Sequence, residues 1–168
     1  DQMEPVDLQQ AIQAVFPILQ GEAAHRGIGI RFLNQSTPPR QVQANEVMLQ
    51  RIVFNLAANA MDALSSQKNA SAPAIQIELL ERHQEGRDWV ILQIQDNGPG
   101  LPAALFQQIN GPVVSSKAQG SGLSLLLTQS MLRLWGGHTV MQNLSSNDTS
   151  GAVLQLWMLP AETASAST

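Results

Sequence analysis

The chain contains no cysteine. That excludes a disulfide framework and a thiolate metal site, and it fits a reducing compartment, so the expected location is the cytoplasm. Charge is scarce too: 13% of residues are Asp, Glu, Lys or Arg, and the formal net charge is −4. The basic residues gather on no single face, which argues against a nucleic-acid surface. No apolar run approaches the ~18 residues that cross a bilayer, so no membrane contact is expected of this segment. The opening DQMEPVD has no basic-then-apolar leader. Without an initiator region, it sets the expectation of a piece of a longer protein. What is present is 43% hydrophobic residues over 168 positions, enough for one domain with its own core.

Residues 1–6 read as a lead-in to a helix capped by Asp7. Leu8, Ile12, Val15, Phe16 and Leu19 then recur at helical spacing and predict an amphipathic helix over 7–24. Gly27 and Gly29 break it, IGIRFL at 28–33 reads as a strand, and QSTPPR at 35–40 as a loop. Asn45 caps a second helix running to about Ser66, with Leu49, Ile52, Val53, Leu56, Ala60 and Leu64 on one face. AIQIELLE at 74–81 and DWVILQIQ at 88–95 alternate with period two and pair as antiparallel strands across HQEGR. A third helix covers 122–135 and ends at Gly136–Gly137. HTVMQNL and GAVLQLWML make a closing hairpin, and AETASAST at 161–168 reads as a flexible tail behind a domain of residues 1–160. The fold class expected is α/β: a two-layer sandwich with a mixed sheet of about five strands, covered on one face by about three helices.

Three segments carry chemistry. On the second helix, Arg51, Asn55, Asn59, Asp62 and Ser66 fall on one polar stripe opposite the apolar face. Magnesium takes hard oxygen ligands and keeps several waters. An asparagine carbonyl can ligate it without adding negative charge beside a triphosphate; the plainer reading is a solvated helix face. DNGPGL at 96–101 follows a strand directly, so Asp96 sits at a strand end where its carboxylate can accept from an exocyclic amine such as adenine's. Gly98 and Gly100 allow close approach of a ligand, although Asn-Gly and Pro-Gly also make ordinary turns. GSGLSL at 120–125 opens a helix whose first amides lack intrahelical partners and whose dipole favours an anion. Lys117 lies just upstream as a phosphate partner or as a solvated loop lysine. In this order the three segments read as an ATP site. His25, His83 and His138 have no metal-spaced partner, and Trp89, Trp135 and Trp157 are expected in or around the core.

These residues carry a resemblance. NEVMLQRIVFNLAANAMDAL, DNGPGL and GSGLSLLL look like the asparagine box and the two glycine boxes of a known family, and GPVVSSK at 111–117 like its short lid. The chain resembles the catalytic, ATP-binding domain of bacterial sensor histidine kinases, within the superfamily of gyrase, Hsp90, histidine kinases and MutL. The likeness runs from PVDLQQAI to WMLP. It implies that Asn59 ligates magnesium and that Asn55 supports the metal and phosphates. It implies further that Asp96 binds the adenine amine against a wall shaped by Gly98 and Gly100, and that Lys117, Gly120, Ser121, Gly122 and Leu123 meet the phosphates. The cofactors implied are ATP and Mg2+. The implied partners are a separate dimerisation domain bearing the acceptor histidine and a response regulator. Hydrolysing branches of the superfamily place a glutamate one turn before the magnesium asparagine. Asn55 stands there, which suits transfer rather than hydrolysis.

Five positions depart from the pattern. Ser124 replaces a glycine, Val113 and Val114 replace lid phenylalanines, Asp62 stands where many relatives are basic, and Asn45 where aspartate is common. The alternatives are a degenerate nucleotide-binding regulatory module and a serine kinase of the anti-sigma type.

Overall fold

A computed structural model of the chain describes residues 3–34, 40–66, 72–101, 120–146 and 149–161. Two of its helices begin where a capping side chain takes up a free amide. Asp7 accepts from Gln10 N (3.2 Å) ahead of α1 (Leu8–His25), and Asn45 accepts from Met48 N (2.9 Å) ahead of α2 (Glu46–Ser65). Pro17 lies inside α1 on its exposed side. The third helix, α3 (Gly120–Leu134), begins two residues earlier than its sequence pattern implies and ends at Gly136, whose φ of +84° only glycine adopts at low cost.

The strands are β1 (Glu4–Asp7), β2 (Gly29–Asn34), β3 (Gln41–Ala44), β4 (Ala74–Gln84), β5 (Arg87–Asp96), β6 (His138–Ser146) and β7 (Thr149–Met158). Five of them form a mixed sheet in the order β2-β4-β5-β7-β6, in which only β2–β4 is parallel. Side chains alternate across a strand, so the register sets two faces. Ile77, Ile94 and Leu154 make one apolar rung, and Leu79, Leu92 and Leu156 the next. Both rungs join Leu49, Val53, Leu56 and Met61 of α2, Leu8, Ile12 and Leu19 of α1, and Leu132 of α3 in one buried cluster. The expected two-layer arrangement is therefore present, with the three helices on one face.

The opposite face carries the alternate residues. Gln155 accepts from Trp157 Nε1 (2.9 Å) and donates to Gln93 (2.7 Å), while His138 stacks on Trp157 with ring centroids 5.2 Å apart. Trp89 meets both rings edge-on. Of the tryptophans, Trp135 packs in the helix-side core, whereas Trp89 and Trp157 serve this second face.

Three expectations are corrected. Residues 4–7 are a strand rather than a lead-in, paired antiparallel with β3, which the sequence did not announce. Each strand is four residues long and buries only Val6 or the pair Val42 and Ala44, too short for a period to register. The His83 position belongs to β4, because the hairpin closes in two residues: Glu85 (φ 55°) and Gly86 (φ 72°). Ala161 also joins the fold, donating to Gln41 O (2.7 Å). The rest of the tail, 162–168, lies outside the described residues.

Candidate functional site

β5 ends at Asp96, and its register fixes where that carboxylate points. Positions 90, 92 and 94 face the helices, so Asp96 does too, on a rung with Ile75 of β4 and Ala152 of β7. Its Oδ1 accepts from Gly98 N (2.9 Å). Burial raises its pKa above the ordinary carboxylate value, opposed by hydrogen bonds from the Gly98 and Ala152 amides. No cation pairs with it among the described residues. A half-buried carboxylate without a counter-charge marks a candidate binding position.

The turn that follows is held from three directions. Asn97 Oδ1 accepts from Ala74 N (2.8 Å) and its Nδ2 donates to Ala72 O (3.0 Å), which ties the turn to the start of β4. Ser150 Oγ on β7 donates to Gly98 O (2.7 Å). Asn143 on β6 accepts from Leu101 N (2.7 Å) and donates to Leu101 O (2.9 Å). Two glycines make this geometry possible. A Cβ on Gly98 would stand 3.2 Å from Leu64 of α2 and 3.1 Å from Asp96 Oδ1. One on Gly100, at φ +88°, would stand 3.0 Å from Asn143 Oδ1. The turn thus lies directly on the second helix.

On α2, Asn55 is exposed and Asn59, one turn on, is partly covered. Asn59 Nδ2 is buried and has no hydrogen-bond partner among the described residues. An orphaned buried amide costs about 1–3 kcal/mol, and rotation of the amide exchanges its nitrogen and oxygen. Asn59 therefore fits a role that a bound group completes. Asp62, one turn further, is taken up by Arg26 at the end of α1 (2.7 Å), and Arg26 also pairs with Glu22 (2.8 Å). Both carboxylates raise the Arg26 pKa, that of Asp62 more.

Gly120, Ser121, Gly122 and Leu123 form the first turn of α3, where the backbone amides have no intrahelical acceptor. That helix packs against α2. Lys117 and the lid-like segment at 111–117 lie outside the described residues. No group of three or more His, Asp or Glu side chains with metal-binding geometry occurs among the described residues. A metal here would rest on neutral amide oxygens together with oxygens of its own ligand. Sequence reasoning had no sign of Asn97, Asn143 and Ser150 as parts of this site. Their bonds span 25, 42 and 52 residues respectively, and a lone polar residue in a hairpin carries no local signal of such a partner.

Comparison with known proteins shows the family and the fold. Residues 44–163 match the family described as histidine kinase-, DNA gyrase B-, and HSP90-like ATPase. The chain is 28% identical over 156 residues to the sensor histidine kinase ZraS of Salmonella typhimurium, covering 93% of this chain and 31% of that protein. It is 32% identical over 161 residues to the C4-dicarboxylate transport sensor protein DctB of Pseudomonas aeruginosa, covering 94% of this chain and 24% of that one. The chain thus spans less than a third of either relative. The fold matches the catalytic domain of histidine kinase ThkA with a TM-score of 0.74 at 20% identity, over 95% of this chain and 96% of that one. It matches full-length ShkA in complex with AMPPNP with a TM-score of 0.71 at 22% identity, over 96% of this chain and 32% of that one.

Proposed function

The chain belongs to the histidine kinase-, DNA gyrase B-, and HSP90-like ATPase family, and from that premise we propose that it binds Mg-ATP and presents the γ-phosphoryl group to a histidine on a separate dimerisation domain. Asp96 carries the reading: a partly buried carboxylate, without a cation among the described residues, facing the helix side of the sheet beside two glycines. Such a group suits the exocyclic amine of adenine. The sensor-kinase relatives and the AMPPNP complex of a protein with this fold support it. A cytoplasmic place of action goes with this reading; among the described residues no helix is long and apolar enough to cross a membrane.

Asn59 would ligate the magnesium ion together with the phosphate oxygens, Asn55 would support the metal and phosphates, and Lys117 and the amides of Gly120, Ser121, Gly122 and Leu123 would meet the phosphates. When bound, magnesium neutralises the triphosphate and aligns it for in-line transfer. Gly98 and Gly100 keep the backbone low so that the base can approach Asp96. Asn55, a neutral amide where a hydrolase would need a base, leaves water unactivated. The acceptor helix of the parent protein and its response regulator are the partners in this scheme.

Asn59→Ala tests it. Transfer to an acceptor domain supplied in trans should be abolished, while the melting temperature holds or rises slightly. Alanine is the better helix former, and the variant removes an amide that has no partner among the described residues. Wild-type transfer rates in the variant would sink the magnesium assignment.

A further inference from the structure

The closing hairpin supplies more than sheet structure. Asp96 of β5 pairs with Ala152 of β7, and Ala152 pairs with Asn143 of β6, so the three share one rung on the helix-facing side. Two strand spacings, roughly 10 Å, separate the carboxylate from the amide, with only a methyl group between them. Asn143 turns back over this gap to grip both polar groups of the Leu101 backbone, and it fills the space above Gly100. Ser150, from the other strand of the hairpin, holds Gly98 O. Gly98 N in turn holds Asp96 Oδ1. A continuous chain of hydrogen bonds therefore runs from the hairpin to the carboxylate.

We propose that Asn143 is a positioning residue of the nucleotide site, clasping the Gly98–Leu101 turn so that Asp96 stays oriented to select adenine over guanine. The inference rests on the ATP reading above. Asn143 makes no hydrogen bond to the carboxylate; it acts through the turn. It is exposed on the edge strand, so its removal leaves no core cavity. The backbone groups of Leu101 that it releases can turn to water.

The test uses Asn143→Ala and Ser150→Ala in the domain as it stands, with ATP and GTP titrated separately in magnesium and with thermal melts alongside. Asn143→Ala should weaken ATP binding roughly three- to ten-fold, the worth of a lost hydrogen-bond pair. GTP binding should change less, so the ATP:GTP ratio falls while the melting temperature stays close to wild type. Ser150→Ala should shift the ratio the same way. A lowered melt with an unmoved ratio marks a general loss of packing and overturns the proposal. Wild-type ATP binding with an unchanged ratio in both variants overturns this proposal alone. A wild-type domain that binds no ATP overturns the functional reading and takes this one with it.

Discussion

The two ends of β5 are built by different means. At its start, a two-residue turn joins it to β4, with Glu85 and Gly86 both at positive φ. The residues that make that turn are sequence neighbours, and the nearby contact of His83 with Asp88 at 2.7 Å is exposed on both sides. At its end, the turn beginning at Asp96 is held by side chains from β6 and β7 and by an asparagine reaching to the start of β4. The first turn only has to reverse the chain. The second, on the proposed reading, places a carboxylate for a ligand, and local backbone preference alone does not fix a side chain that closely. Long-range hydrogen bonds do, because each one ties the turn to a strand that cannot move without the sheet.

Substitutions at the two ends should separate accordingly. The largest effect is expected at Gly151, where a Cβ would overlap the Asp96 carbonyl. Gly151→Ala should cost about 3 kcal/mol, the upper range for overpacking, or roughly 6–12 °C in melting for a domain of this size. ATP affinity should fall with it, since the strand end that carries Asp96 must shift. A variant that melts like wild type would show that the contact relaxes freely.

Asp96→Asn comes next. Loss of a charge-assisted hydrogen bond is worth about 1.5–3 kcal/mol, so ATP affinity should drop about ten-fold or more, with the preference over GTP lost. The raised pKa adds a sign. Because the folded state holds the proton more tightly than the unfolded chain, Asp96 contributes stability below its unfolded pKa that is lost as pH rises through the folded value. The asparagine variant removes this dependence and should melt no lower than wild type at neutral pH. ATP binding runs the other way: it needs the carboxylate, so wild-type affinity should decline as acid is added, beginning above the ordinary carboxylate range. Titrations of both proteins from neutral to acid pH check each slope, and a flat wild-type profile would remove Asp96 from the base.

The smallest effect belongs to the other end. Gly86→Ala meets open space but keeps φ at 72°, so the cost is strain alone, about 1 kcal/mol. Melting should fall by roughly 2–4 °C, with nucleotide affinity unchanged. A change in affinity there would blur the contrast between the two ends.

Periodicity made the larger elements legible. The spacing Leu49, Ile52, Val53, Leu56 located α2, and Asp7 and Asn45 announced both helix caps, because these signals lie within a few residues. The partnership of β2 with β4 joins strands separated by β3 and α2, and nothing in IGIRFL names its partner. β1 and β3 were hidden by their brevity. The site divides in the same way. Asp96, Gly98 and Gly100 were visible because turn chemistry clusters in sequence. Asn143 and Ser150 were not, because their role exists only once the hairpin is folded against the turn. Asp62 illustrates a third case: its carboxylate is met by Arg26 from another helix, a pairing that no local pattern could supply.

The small sheet has a mechanical consequence. β3 holds β1 on one edge, and on the other it accepts from Ala161 and donates to Leu159 O through Gln43 N. The first described strand of the chain and the residues just after β7 thus meet on a single four-residue strand, outside the five-stranded sheet. Tension or torsion delivered along the backbone at Glu4 or at Ala161 loads β3 before it reaches β5. A pull applied at either point is therefore expected to leave the rung that carries Asp96 in shape.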